Sequence, residues 1–186
     1  MTFHKILASV LLLAAVPAFT GVAHASDISF FVGAEMPGSI KIDDVKKALD
    51  NGPIYGLRFG RNYVRYFGME HTLALSHDFL YPSEDPNVAN TRGFLYNSNL
   101  MLNFRDIAGN IVPFLTAGAG IVHQFGDKDL PVGTKFAFNY GGGVKFTNLA
   151  GPLGARVDFR GYNAGVFSKK VNMAEISFGL MLSLGR

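Results

Sequence analysis

The chain has 186 residues, a formal net charge of +3, no cysteine, and 22 glycines beside 17 phenylalanines and 7 tyrosines. Without cysteine, a disulfide scaffold, a thiolate metal site and a cysteine nucleophile are excluded together. Acidic and basic residues are scattered rather than gathered into a patch, which argues against a nucleic-acid partner.

Met1 to Ala25 hold no acidic residue, one lysine (Lys5), an apolar run from Ile6 to Val16, and the triplet Ala23-His24-Ala25. A positive start, a short apolar centre and a small-x-small end predict a secretory signal peptide over residues 1–25, cleaved after Ala25. A spanning helix needs about 20 apolar residues; this run is shorter and Pro17 interrupts it. Residues 26–186 are then expected to form one domain.

Along that domain, alternation with period 2 recurs between turn signals and predicts about eight strands. The first runs from about Asp27 to Met36, where Phe31 breaks the polarity rule; the second from Pro53 to Asn62, with Tyr55, Leu57 and Phe59 opposing Gly56, Arg58 and Gly60. The third, Arg65 to Phe79, sets Phe67, Met69, Leu73 and Leu75 against Gly68, Glu70, Thr72, Ser76 and Asp78. In the fourth, Arg92 to Arg105, Phe94, Tyr96, Leu100 and Leu102 oppose Asn97, Asn99 and Asn103. The fifth, Ile111 to Phe125, is glycine-rich; the sixth spans Lys135 to Asn148, the seventh Pro152 to Tyr162, and the eighth Met173 to Leu184.

Connections alternate in length. Tight turns are expected around Tyr63-Val64, Asp106 to Gly109 and Leu149 to Gly151, and longer loops over 37–52, 80–91, 126–134 and 163–172. In the first long loop, Val45, Ala48 and Leu49 form an apolar stripe behind Asp43 or Asp44, predicting a short helix that Asn51-Gly52 ends. An even strand count with short turns at one end and long loops at the other predicts an all-β, eight-stranded, antiparallel, up-and-down transmembrane β-barrel.

The two faces of the strands support the same architecture. Glu35, Arg58, Glu70, Asp78, Lys145, Arg156, Asp158, Arg160 and Glu175 fall on the polar face and are expected to form a closed charge network in the lumen, since an unpaired buried charge is costly. Phe59, Leu73, Leu100, Leu102, Phe138, Val144, Phe159, Ile176, Phe178, Leu180 and Leu182 fall on the apolar face and are expected to meet lipid, because an eight-stranded interior is too narrow to hold them. Tyr55, Tyr63, Tyr66, Tyr81, Tyr96 and Tyr162 lie near strand ends, where a ring with a polar tip suits the headgroup zone.

Three stretches carry a family resemblance: Val112 to Gly120, Tyr140 to Phe146, and Gly154 to Arg160, with Phe67-Gly68-Met69-Glu70 before them. Together they resemble the small outer-membrane β-barrel domain proteins, related in architecture to the OmpA and OmpX types. The resemblance implies the bacterial outer membrane as location, membrane lipid and the barrel assembly machinery as partners, and an external ligand or protein at the loops. It departs from that pattern at the end of the chain, Leu182-Ser183-Leu184-Gly185-Arg186, where such barrels carry an aromatic residue that the assembly machinery reads.

Little in the sequence suggests catalysis. His71, His77 and His123 share parity with apolar neighbours and have no metal-cluster spacing, while Ser76 and Asp78, next to His77, face the other way on a strand. His71 itself is expected on the lipid side. No cofactor or catalytic residue is predicted, and the expected role is structural or surface contact. Two rival readings remain: a soluble lipocalin-like periplasmic barrel binding a small apolar ligand, and a lipid-modifying enzyme.

Overall fold

The computed structural model describes residues 25–42, 45–48, 51–77, 92–125, 133–165 and 171–184. The described residues form ten strands: β1 (Ala25–Pro37), β2 (Ser39–Ile42), β3 (Val45–Ala48), β4 (Gly52–Asn62), β5 (Phe67–His77), β6 (Arg92–Asn103), β7 (Ile111–Phe125), β8 (Thr134–Ala150), β9 (Leu153–Ala164) and β10 (Val171–Leu184). Eight of them, β1 and β4 to β10, close into a barrel in which each strand pairs with its neighbour in sequence. Every pairing is antiparallel, and β1 closes the ring by joining β10 on one side and β4 on the other. Closure leaves no unpaired edge, so the backbone polar groups find partners within the sheet.

Period-2 alternation forms these strands and decides which side faces in. On β6 the odd positions from Gly93 to Asn103 are buried, and on β5 the even positions Gly68, Glu70, Thr72, Ala74 and Ser76 are buried. A slip of one residue would send Glu70 outward and Leu73 inward, so the alternating pattern pins the register. The observed partner of Leu73 on β6 is Tyr96, and that of Glu70 is Asn99.

The tight turns have local causes. Between β6 and β7 the chain passes through Ala108 at φ 59° and Gly109 at φ 84°, and the Asp106 carboxylate accepts the Ile111 amide at 2.9 Å. Between β8 and β9 a bulge lies between Phe146 and Ala150, with Asn148 at φ 54° and Gly151 at φ 61°. The left-handed region favours Gly and Asn, and both of these residue types stand at this turn. β7 starts at Ile111 as expected, but β6 ends at Asn103 rather than Arg105, so the turn between them is longer than the four residues expected.

One local expectation fails. The segment expected to form a helix, Val45 to Leu49, contributes Val45–Ala48 as β3, paired antiparallel with Ser39–Ile42. Ile40, Ile42 and Val45 are β-branched and favour the extended chain, and pairing offers four residues more than an isolated helical turn, whose nucleation is costly. Leu49 lies outside the described residues, as do Asp78 and Tyr81.

Candidate functional site

The barrel interior is organised in three layers along its axis. In the middle, Arg58, Arg156 and Arg160 meet Glu70, Asp158 and Glu175, all fully or almost fully buried. Arg156 donates from Nε and Nη2 to the two oxygens of Asp158, each at 2.8 Å, and from Nη1 to Glu70 at 2.7 Å. Arg160 donates through Nη2 to Glu70 and, at 2.8 Å, to Asp158. Arg58 reaches Asp158 at 3.2 Å, Ser177 at 3.1 Å and Glu175. Three guanidinium groups thus face three carboxylates, which satisfies the condition for keeping such charges out of water.

Space for these long side chains comes from the lumen glycines beside them. A methyl group built on Gly141 would lie 3.1 Å from Arg160 Cγ, and one on Gly179 would lie 3.1 Å from Arg156 Cγ. On Gly143 it would meet the Phe114 ring at 2.9 Å. Two aromatic rings complete the layer: the guanidinium carbon of Arg58 lies 3.6 Å from the Phe31 centroid, and that of Arg156 lies 4.9 Å from Phe114. Phe31 breaks the polarity pattern of β1 because it stacks beneath an arginine.

Toward the end with the long connections, the lumen turns apolar. Ile54, Leu95, Val122, Ala137, Ala164 and Met173 pack with Phe31 into one buried cluster. Polarity alone marks these positions poorly, yet each shares parity with the inward polar residues of its own strand, as Leu95 does with Asn97 and Asn99 and Val122 with Thr116 and Gln124, and that was the available signal. Tyr162 also corrects an expectation: it is 1% exposed, inside the lumen, and donates its hydroxyl to Glu175 rather than standing in an outer girdle. Its parity with Asp158 and Arg160 dictates this. Glu35 is buried directly opposite Glu175, and among the described residues no cation pairs with it.

At the opposite end, Lys145 donates to Asp27 at 2.8 Å. Beside that pair a cavity of about 480 Å³ opens among Asn62, Asn103, Arg105 and Ser183.

The outer face is the reverse of this interior. Phe59, Leu73, Leu100, Phe138, Phe159, Ile176, Phe178, Leu180 and Leu182 are exposed there, Leu100 to 69% and Leu180 to 63%, and Leu102 and Val144 are partly exposed. Among the described residues of the eight barrel strands, outward charges are confined to Arg61 near one end and Arg92 at the other. The three histidines face outward. His71 bonds the Tyr96 hydroxyl through Nδ1 at 3.1 Å, His77 bonds that of Tyr55 through Nε2 at 2.8 Å, and His123 bonds Thr134 through Nδ1 at 2.7 Å. Ser76 turns inward and donates to the Pro53 carbonyl at 3.2 Å, so it does not meet His77.

No protein-family model matches the sequence, and no curated protein sequence is significantly similar to it. Solved structures are similar in fold. Neisserial surface protein A (NspA) superposes with a TM-score of 0.65 at 14% identity, covering 88% of this chain and 99% of its own. The outer-membrane protein AlkL, determined in lipid bilayers, gives 0.58 at 12% identity over 90% of this chain and 94% of its own. The outer-membrane enzyme PagL gives 0.51 at 18% identity over 84% of this chain and 98% of its own. Strand number, closure, antiparallel order and these likenesses together give the chain the fold of the small eight-stranded outer-membrane β-barrels.

Proposed function

We propose that this protein is an integral barrel of the bacterial outer membrane that conducts no solute, catalyses no reaction, and serves envelope structure or contact through its long connections. The observation that carries this reading is the inverted polarity of the barrel. Large apolar side chains cover the outside, while six ion-paired residues fill the middle of the lumen. In water such an outer face would be a very large exposed apolar patch, which soluble monomers avoid; in hydrocarbon it is the favoured surface. From Ala174 to Leu184 the outward side of β10 is apolar at every position and runs about 34 Å at about 3.4 Å per residue. Tilted by about 40°, as membrane strands are, it spans about 26 Å and matches an apolar band about 25 Å tall.

A lipocalin-like carrier would need an apolar calyx, and here the charged layer occupies that volume. PagL shows that this fold also hosts catalysis. Here, however, no carboxylate stands on the outer face of the described strands to orient His71, His77 or His123, as a hydrolytic triad requires.

Four measurements test the reading. Unboiled protein in detergent is expected to migrate faster on a gel than boiled protein, and recovery in an osmotic-shock supernatant without detergent would rule the membrane out. In planar bilayers the protein is expected to give no stepwise conductance; steady openings would overturn the closed lumen. Lipid A from cells expressing it should have an unchanged mass spectrum, and a lost or added acyl chain would make it an enzyme.

A further inference from the structure

The outer face of β5 to β8 differs from the rest of the barrel at its long-connection end. His77 stands directly opposite Arg92, and His123 lies diagonally from Arg92 on the next strand, opposite Phe94. Cross-strand and diagonal neighbours are about 5–8 Å apart, so the three side chains project from adjacent strands as one group. Hydroxyls of Tyr55 and Thr134 each hold one nitrogen of the two imidazoles, at 2.8 and 2.7 Å. The other ring nitrogens have no partner among the described residues. Arg92 is exposed, and no described carboxylate pairs with it. At the other barrel-strand ends of this rim the described outward residues are Met36, Pro53, Asn163 and Asn172, none of them charged.

Beneath this basic group the surface is apolar. Leu75 and Phe94 face each other one pleat down. Further along the same strands Ser98, Ala117 and Ala119 take the place of large side chains. They leave a shallow groove of about 430 Å³ bordered by Met69, Leu100 and Phe138.

A basic head above an apolar, partly hollowed wall is complementary to an anionic lipid. We propose that Arg92, His77 and His123 bind the phosphate of a lipid in the external leaflet, with an acyl chain running down β6 and β7 toward the groove. This rests on the membrane reading above. The guanidinium supplies a planar pair of donors that fits two phosphate oxygens, and the two imidazoles add donors on either side. The apolar band ends at this height, so the phosphate is met where headgroups lie.

The test uses the full chain in a neutral maltoside detergent, observed by native mass spectrometry. The probes are dipalmitoyl phosphatidic acid, dipalmitoylglycerol with the same chains and no phosphate, and inorganic phosphate. Adducts are expected with phosphatidic acid alone. Arg92→Ala should weaken them about fivefold, since one basic residue at a lipid surface is worth that factor, and adding His77→Ala should weaken them further. Equal adducts with dipalmitoylglycerol would mean that chains alone bind, and equal adducts with inorganic phosphate would mean a free-anion site. An unchanged Arg92→Ala variant would also overturn the proposal. Heat-shifted gel mobility, retained in each variant, shows that loss of binding is not loss of fold; should Arg92→Ala lose it, Arg92→Gln takes its place. Recovery of the protein in water without detergent would sink the membrane reading itself, whereas the adduct pattern bears on this site alone.

Discussion

Arg58 is shared between an aromatic ring and two carboxylates that come from opposite ends of the sequence. It stacks on Phe31 at 3.6 Å and bonds Asp158 at 3.2 Å and Glu175, so it ties β1, β9 and β10 together across the closing seam. Replacing it removes a cation that two fully buried anions depend on. Arg58→Met is expected to destabilise the barrel by about 3–5 kcal/mol, the cost of stranding a buried partner. Phe31→Leu should cost less, about 2 kcal/mol, because it removes ring area and a desolvated cation–π contact but leaves every charge paired. Urea titration in detergent micelles, followed by the gel-mobility shift, measures both. Equal midpoints for wild type and Arg58→Met would show that the network contributes nothing to stability.

The barrel was legible in the sequence because one physical rule, alternation with period 2, acts on every strand and assigns all its residues at once. Arg58, Glu70, Arg156, Asp158, Arg160 and Glu175 share parity with their strands' glycines and serines, and the structure places them inside. Two things were not legible, for different reasons. The apolar layer of Ile54, Leu95 and Val122 keeps the inward parity while changing polarity, so a reading that equates polarity with face loses it. The β2–β3 hairpin occupies a stretch whose apolar spacing suits a helix equally well, and only pairing with Ser39–Ile42, a non-local term, decides between them. Ion pairing follows from the polar face only as a group property, and no spacing reveals that Asp158 contacts all three arginines.

The lumen glycines give a second prediction. An alanine at Gly143 places its methyl group 2.9 Å from the Phe114 ring and 2.0 Å from the Val157 carbonyl oxygen, and a closed eight-stranded interior has no slack to absorb that. Gly143→Ala is expected to cost about 1–3 kcal/mol, the usual penalty of overpacking. Ala117→Gly, on the outer face of the neighbouring strand, should cost under about 1 kcal/mol, the backbone-entropy term alone. If both variants unfold at the same urea concentration, the interior is looser than the close approach of these strands implies.

Depth along the outer face supplies the sharpest contrast. Leu73 sits midway along β5, flanked by Leu57 on β4 and Tyr96 on β6, whereas Leu184 closes β10 opposite Ser26. Both are exposed outward, so in water an arginine at either place would change stability by no more than about 0.5 kcal/mol. In a bilayer the two sites differ. Leu73→Arg puts a guanidinium near the midplane and should cost about 2–4 kcal/mol, while Leu184→Arg lies at the interface and should cost about 0–1 kcal/mol. Equilibrium unfolding in urea from phosphatidylcholine vesicles measures the difference. A large cost for Leu73→Arg with a small one for Leu184→Arg requires hydrocarbon around the middle of the barrel, because no aqueous surface distinguishes two exposed leucines by their height.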